Sequence, residues 1–212
     1  MAASKSPNIV IIDYESGNLR SVARAVERAG VTPAVTSNPA ALADADGVIL
    51  PGVGSGPAAM SALQSRDLVQ PLLDYIAGGR PFLGVCLGLQ LLLDATDEGD
   101  ADCLGLVSGR VRRLPDGRKV PHMGWNTVRF QREHPLWEGI PQDSHFYFVH
   151  SYYADPEQRA DVAGLTEYGV PFCSVYARDN VVATQFHPEK SGDTGLRIYA
   201  NYVRQVAEAC GR

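Results

Sequence analysis

The feature that most constrains the fold is a rhythm in the first half of the chain. Short, nearly all-apolar runs alternate with segments whose apolar residues recur at helical spacing. Asn8-Ile-Val-Ile-Ile-Asp13 lacks polar alternation, as expected of a strand covered on both faces. Leu19, Val22, Ala23 and Val26 then fall on one helical face, up to Gly30. Ala34-Val-Thr36 reads as a second strand, and Gly47-Val-Ile-Leu50 as a third, stopped by Pro51-Gly52. Leu68, Leu72, Leu73 and Ile76 mark a helix ending at Gly78-Gly79. Pro81 to Val85 is a fourth strand, and Leu87 to Leu93 is expected to be helical. This β-α-β-α order calls for a parallel sheet with helices on both faces.

From Gly109 to Gln185 the apolar segments are short and β-rich, notably Val128 to Phe130, Phe146 to Val149 and Val181 to Phe186. They predict an antiparallel or mixed extension of the sheet. Leu196, Tyr199, Ala200 and Val203 close the chain with a helix. The expected fold class is therefore α/β, a mixed central sheet flanked by helices, and the 212 residues suit one domain over 1–212.

Bulk properties exclude several functions. Net charge is -5 with no run of Lys or Arg, so the basic face that nucleic acid requires is absent. No apolar run approaches the roughly eighteen residues of a membrane span. Met1 to Asn8 lacks the apolar core of a secretory signal, so a cytoplasmic location with reduced thiols is expected. The four cysteines, Cys86, Cys103, Cys173 and Cys210, form no C-x-x-C pair. His122, His134, His145 and His150 form no close pair at the helical spacing of metal ligands. Neither a metal nor a cofactor is expected.

Gly84-Val85-Cys86-Leu87-Gly88 follows one expected strand and opens one expected helix. It is a cysteine version of the G-x-S-x-G nucleophile elbow. Glycines two residues to either side let strand and helix approach without Cβ clashes. The turn sets Cys86 at a helix N-terminus, which favours an anionic sulfur, and aims the Leu87 N–H into the same space, where it can hold an oxyanion.

Phe186-His187-Pro188-Glu189 follows the Val181 to Gln185 strand. Pro188 pushes His187 toward an extended conformation. Residues two apart in an extended segment face the same side, which sets Glu189 beside the imidazole as its orienter. A carboxylate-oriented histidine beside a thiol is triad logic in cysteine form. Pro51-Gly52-Val53-Gly54-Ser55-Gly56-Pro57 carries neither a Gly-Lys-Ser/Thr nor a dinucleotide fingerprint, and is better suited to presenting a second backbone N–H to an oxyanion. Taken singly, each motif has a plain structural alternative: a buried core cysteine, a His-Pro turn with a solvated glutamate, a tight βα turn.

Taken together, the chain resembles the class I (triad-type) glutamine amidotransferases. The paired signatures are G-V-C-L-G-L-Q at 84–90 and H-P-E at 187–189. It is similar, more narrowly, to the glutaminase subunits of imidazole glycerol phosphate synthase. That resemblance is carried by D-Y-x-x-G-N-L at 13–19, L-P-G-V-G at 50–54, P-H-M-G-W-N at 121–126, F-Y-F-V-H-S-Y at 146–152 and Q-F-H-P-E-K-S at 185–191, in the expected order over about 8–207. It departs at Glu15, where such chains commonly carry glycine, and at Ser55-Gly56-Pro57, where an aromatic is common.

The resemblance implies a flavodoxin-like α/β glutaminase domain with Cys86, His187 and Glu189 as the triad. It implies an oxyanion hole of the Leu87 and Val53 N–H groups, and a glutamine site of Gly52, Gln90, His150, Ser151 and Tyr152. Gln90, on an otherwise apolar helix, has little structural reason to be there. The implied partner is a (β/α)8-barrel cyclase that receives ammonia and forms imidazole glycerol phosphate and an aminoimidazole carboxamide ribotide. Asn18, Trp125, Asn126 and Lys190 are candidates for that interface, although Trp125 beside Gly124 suits a core position equally well.

Overall fold

The computed structural model describes residues 6–15 and 18–211. Met1 to Lys5, part of the segment read for a secretory signal, lies outside the described residues, as do Ser16 and Gly17 of the 13–19 motif. The first half contains β1 (Ile9–Ile12), α1 (Leu19–Arg28), β2 (Ala34–Thr36), β3 (Gly47–Gly52), α2 (Gly56–Ser65), α3 (Val69–Ala77), β4 (Phe82–Cys86) and α4 (Leu87–Gln90). Then come β5 (Leu93–Thr96), β6 (Ala101–Asp102), β7 (Val107–Arg113), β8 (His122–Phe130), β9 (Ser144–His150), β10 (Tyr152–Pro156), β11 (Val162–Glu167), β12 (Pro171–Arg178), β13 (Val181–Thr184) and α5 (Gly192–Ala209).

Among the described residues the strands run β2-β1-β3-β4-β13-β12-β10-β7-β5-β6, and β11, β8 and β9 branch from β12. Pairing is parallel from β2 through β13 and antiparallel from β13 through β12 and β10 to β7. This is the mixed sheet expected from the sequence, with its parallel half first.

Strand β1 is buried along its whole length, and alternate residues feed opposite layers. Ile9 and Ile11 join α1 and α5 through Val22, Val26, Ile198 and Tyr202. Val10 and Ile12 join α2 and α3 through Met60, Leu63, Leu72 and Tyr75. The apolar runs thus encode a sheet sandwiched between two helical layers.

Two local expectations are corrected. The helix expected over Leu87 to Leu93 ends at Gln90, and Leu93 already belongs to β5, which pairs parallel with β7. A short leucine run has no period that separates helix from buried strand, and here the neighbouring strand takes it. Residues Gly56–Ser65 form α2, which the glycine-loop reading did not foresee. Its start uses the departing Ser55-Gly56-Pro57 segment: Pro57 lies in the first turn, where its missing N–H costs nothing.

Candidate active site

Three adjacent parallel strands bring the sequence motifs to one edge of the sheet. In β3 and β4, Gly52 stands opposite Cys86, and in β13 and β4, Thr184 stands opposite Val85. His187 lies three residues beyond Thr184, so the glycine loop, the elbow and H-P-E converge at the carboxyl ends of the parallel strands, where open α/β sheets bind ligands.

Cys86 is buried and adopts φ 54°, ψ -103°. A non-glycine residue at such an angle costs on the order of 1–3 kcal/mol and persists only where its surroundings enforce it. The enforcement is visible at Gly88, where a Cβ would lie 2.0 Å from the Leu50 carbonyl oxygen. Gly52 is equally constrained: a Cβ there would meet the Tyr14 hydroxyl at 2.2 Å and Leu87 Cβ at 2.9 Å. The elbow is therefore a turn that only glycine at these positions allows.

His187 and Glu189 are both enclosed, their side chains 2% and 1% exposed. His187 Nδ1 lies 2.8 Å from Glu189 Oε1, whose other oxygen accepts from the Tyr199 hydroxyl at 3.4 Å. The expected contact forms, but by a different route. Residues Pro188–Lys190 make a single 3-10 turn after an extended His187, and the turn, rather than a continued strand, folds Glu189 back onto the ring. It is held by Ser191 Oγ, which donates to the His187 carbonyl and accepts from Tyr147 N–H. The other ring nitrogen, Nε2, is buried without a hydrogen-bond partner. Burial pushes the His187 pKa down, but Cys86 and then Glu189 outweigh it, and the net shift is upward.

Beside Cys86 is a cavity of about 430 Å³ lined by Val53, Gly54, Leu87, Gln90, Glu98, Pro121, Val149, His150, Ser151, Tyr152 and Lys190. It gathers most of the residues expected to bind glutamine or hold the oxyanion; Gly52 lies just behind it, at the end of β3. Larger hollows, of about 800 and 780 Å³, contain none of those residues; the first is lined by the segment from Phe130 to Gln142, and the second draws on β7, β10 and β11. Among the described residues there is no group of three or more His, Cys, Asp or Glu that could hold a metal ion, and no helix is long and apolar enough to cross a membrane.

Gln90 does have a structural job, contrary to expectation. Its Nε2 donates to the Tyr152 carbonyl at 2.7 Å and to Gln185 Oε1 at 3.1 Å. Gln185, fully buried, in turn approaches Cys86 Sγ with its Nε2 at 3.7 Å. The same Tyr152 carbonyl takes His150 Nδ1–H at 2.9 Å. A carbonyl can only accept, so His150 Nε2 is left as an acceptor and receives His122 Nδ1–H at 3.0 Å. His122 Nε2 then accepts from Asn126 Nδ2 at 3.3 Å. Both imidazoles are neutral in this chain, and burial lowers their pKa values, to about 4 for His122 and about 3 for His150. His150 therefore has both nitrogens engaged.

Of the expected interface residues, Lys190 lines the cavity. Trp125 is 56% exposed and Met123 61%, so Trp125 is not a core residue. Asn126 turns inward, donating to the Glu167 carbonyl as well as to His122. Asn18 precedes α1, its carbonyl accepting from Ser21 and Val22 N–H. Lys190 is exposed, with Nζ 6.0 Å from the Tyr147 ring centroid.

Sequence reasoning did not single out Gln185, Glu98, Tyr199 or the His122–His150 pair. Gln185 was legible as a polar residue ending an apolar strand. Glu98, whose Oε2 accepts Gly56 N–H at 2.7 Å, carries no local signal.

Comparison with known proteins shows the family. Residues 10–206 match the family glutamine amidotransferase class-I. The chain is 49% identical over 201 residues to the imidazole glycerol phosphate synthase subunit HisH of Desulfitobacterium hafniense, covering 94% of this chain and 95% of that one. It is 46% identical over 210 residues to the HisH subunit of Synechococcus elongatus, covering 97% of each. In fold it is similar to the structure of PurLQS from Thermotoga maritima, with a TM-score of 0.76 at 17% identity, covering 95% of this chain and 99% of that one. The chain belongs to the class-I glutamine amidotransferases and, within them, to the HisH subunits of imidazole glycerol phosphate synthase.

Proposed function

We propose that the cavity beside Cys86 binds glutamine and that Cys86, His187 and Glu189 hydrolyse its side-chain amide. The observation that carries this reading is the His187 ring: Nδ1 is tied to Glu189, and Nε2 is buried without a partner in a site where Cys86 is its strongest favourable neighbour. His187 takes the Cys86 proton as sulfur attacks the amide carbon. The resulting oxyanion is held by the N–H groups of Leu87, which opens α4 and so lacks a partner within that helix, and of Val53. When the C–N bond breaks, His187 returns the proton to nitrogen and ammonia leaves. Water then adds to the glutamyl thioester, giving a proton to His187, and collapse releases glutamate and restores the thiol. Gly52, Gln90, His150, Ser151 and Tyr152 shape the pocket around the amino-acid end.

The chain acts throughout as one glutaminase domain, paired with a (β/α)8-barrel cyclase that consumes the ammonia. The exposed Met123 and Trp125 of β8 support such a partner surface, with Asn18, Asn126 and Lys190 as its further members. A reaction that needs the Cys86 thiol reduced suits the cytoplasm. The test uses the Cys86→Ala chain with its cyclase: glutamine-dependent synthesis is lost while synthesis from ammonium salts persists. Loss of both in a folded complex overturns the reading.

A further inference from the structure

The geometry points to Gln185 as the group that holds the Cys86 sulfur, donating an N–H to it, with its orientation set by Gln90 and ultimately by the Tyr152 carbonyl. This inference rests on the reading of Cys86 as the nucleophile and adds a positioning residue to it.

An amide has one accepting and one donating end, and which end faces the sulfur decides what it does there. The Tyr152 carbonyl can only accept, so the end of Gln90 that touches it at 2.7 Å is the amino group. The second hydrogen of that amino group points to Gln185 at 3.1 Å and therefore requires the Gln185 oxygen. That leaves the Gln185 amino group facing Cys86 Sγ at 3.7 Å. Each link is dictated by the one before it, starting from a backbone atom that cannot change role.

The contact is built to last. Gln185 is 0% exposed, and its backbone N–H is tied to the Ser174 carbonyl at 2.9 Å. Besides His187, the sulfur also faces the Val149 carbonyl, 4.0 Å away. It can accept a hydrogen bond from the thiol but is unfavourable to an anion. The Gln185 N–H has the opposite preference, and a donor in a dry site favours the charged acceptor over the neutral one. Gln185 therefore draws sulfur toward the form that attacks, and Gln90 connects that effect to the wall of the substrate cavity.

Iodoacetamide alkylation of Cys86 tests this without needing turnover. The full chain, Gln185→Met, Gln185→Glu and Gln90→Met are treated across pH 6 to 9 and the Cys86 peptide is quantified by mass spectrometry. A hydrogen bond to a charged acceptor moves an equilibrium about tenfold or more, but a more basic sulfur is also more nucleophilic. Gln185→Met should therefore slow alkylation near pH 7 by roughly three- to tenfold and displace its rise to higher pH. Gln185→Glu, which keeps the acceptor for Gln90 but offers the sulfur no amide N–H, should slow it at least as much. Gln90→Met never touches the sulfur, yet should slow it by about twofold or more because Gln185 loses the partner that orients it. Unchanged rates and pH profiles in the two Gln185 variants, with unfolding midpoints showing them folded, overturn the inference. So does an unchanged Gln90→Met, which removes the orienting link. The Cys86→Ala experiment fails or succeeds independently of these rates, so the two readings can be lost separately.

Discussion

Tyr199 reaches from α5 to the Glu189 carboxylate, its hydroxyl 3.4 Å from Oε2, while the other oxygen is engaged by His187 at 2.8 Å. Glu189 is thus held by an imidazole at one oxygen and by a phenol at the other. Burial and the neighbouring carboxylate raise the Tyr199 pKa well above its usual value, so the phenol remains a donor throughout any working pH. Glu189→Gln should lower kcat for glutamine hydrolysis about a hundredfold or more with little change in KM, since a neutral amide cannot favour the imidazolium. Tyr199→Phe should cost about two- to tenfold. Steady-state kinetics of the complex with its cyclase checks both, and a Tyr199→Phe loss as large as that of Glu189→Gln would show that the carboxylate is positioned mainly from α5.

The cysteines should separate by reactivity. Burial, first, and nearby carboxylates raise the Cys103 pKa to about 11. Burial raises that of Cys173 to about 12. Both stay protonated at neutral pH, and the thiolate is the reactive form. Brief iodoacetamide treatment of the folded protein at pH 7.5, followed by peptide mapping, should label Cys86 well before either. Equal labelling of Cys103 or Cys173 would contradict the assignment of Cys86 as the nucleophile.

Acid should weaken the fold through the histidine chain. His122 and His150 have folded pKa values of about 4 and about 3, below the ordinary 6.5. Between pH 6.5 and about 4 the unfolded chain therefore binds more protons at these sites than the native one, and stability falls as pH falls. Urea midpoints measured at pH 7 and pH 5 should show the drop. A His122→Phe variant, referred to its own value at pH 7, should show a smaller one; an equal or larger drop would mean that other groups carry the acid sensitivity.

Glu15 occupies φ 65°, a left-handed conformation that suits glycine and costs other residues about 1–2 kcal/mol. It is partly offset by an ion pair with Arg66 at 2.5 Å, in which Glu15 is 80% exposed; such pairs contribute about 0–1 kcal/mol. Glu15→Gly should leave stability unchanged or raise it by up to about 1 kcal/mol, read as a small rise in Tm. A clear fall in Tm would mean that the Arg66 contact outweighs the backbone strain.

Much of the candidate site's geometry is readable from the sequence because its residue types are tied to local backbone rules. Gly84-Val85-Cys86-Leu87-Gly88 forms the strand-to-helix turn that its spacing predicts, and Gly88 shows why nothing larger fits. What escaped is what depends on distant partners. Gln90 looked unexplained because its acceptors, Tyr152 and Gln185, lie 62 and 95 residues away. The His122–His150 contact joins facing residues of β8 and β9, a register that no spacing within either segment announces. Helix α2 was hidden by its own glycine-rich start, and β5 by leucines that suit either conformation. The contact between His187 and Glu189 was foreseen on an extended-chain argument, whereas a 3-10 turn makes it, so the right pair was reached through the wrong local geometry.

Strand β13 is the last strand in the chain, yet it lies in the middle of the sheet, between β4 and β12. Emerging from a ribosome, the chain can lay down the half that carries Cys86 long before His187 exists. Until β13 inserts, the two halves of the sheet share no seam and the sulfur has no imidazole at its side. Closing the sheet and bringing the imidazole to the thiol are therefore a single event, and a chain cut short before Val181 keeps its cysteine but has neither the joining strand nor His187.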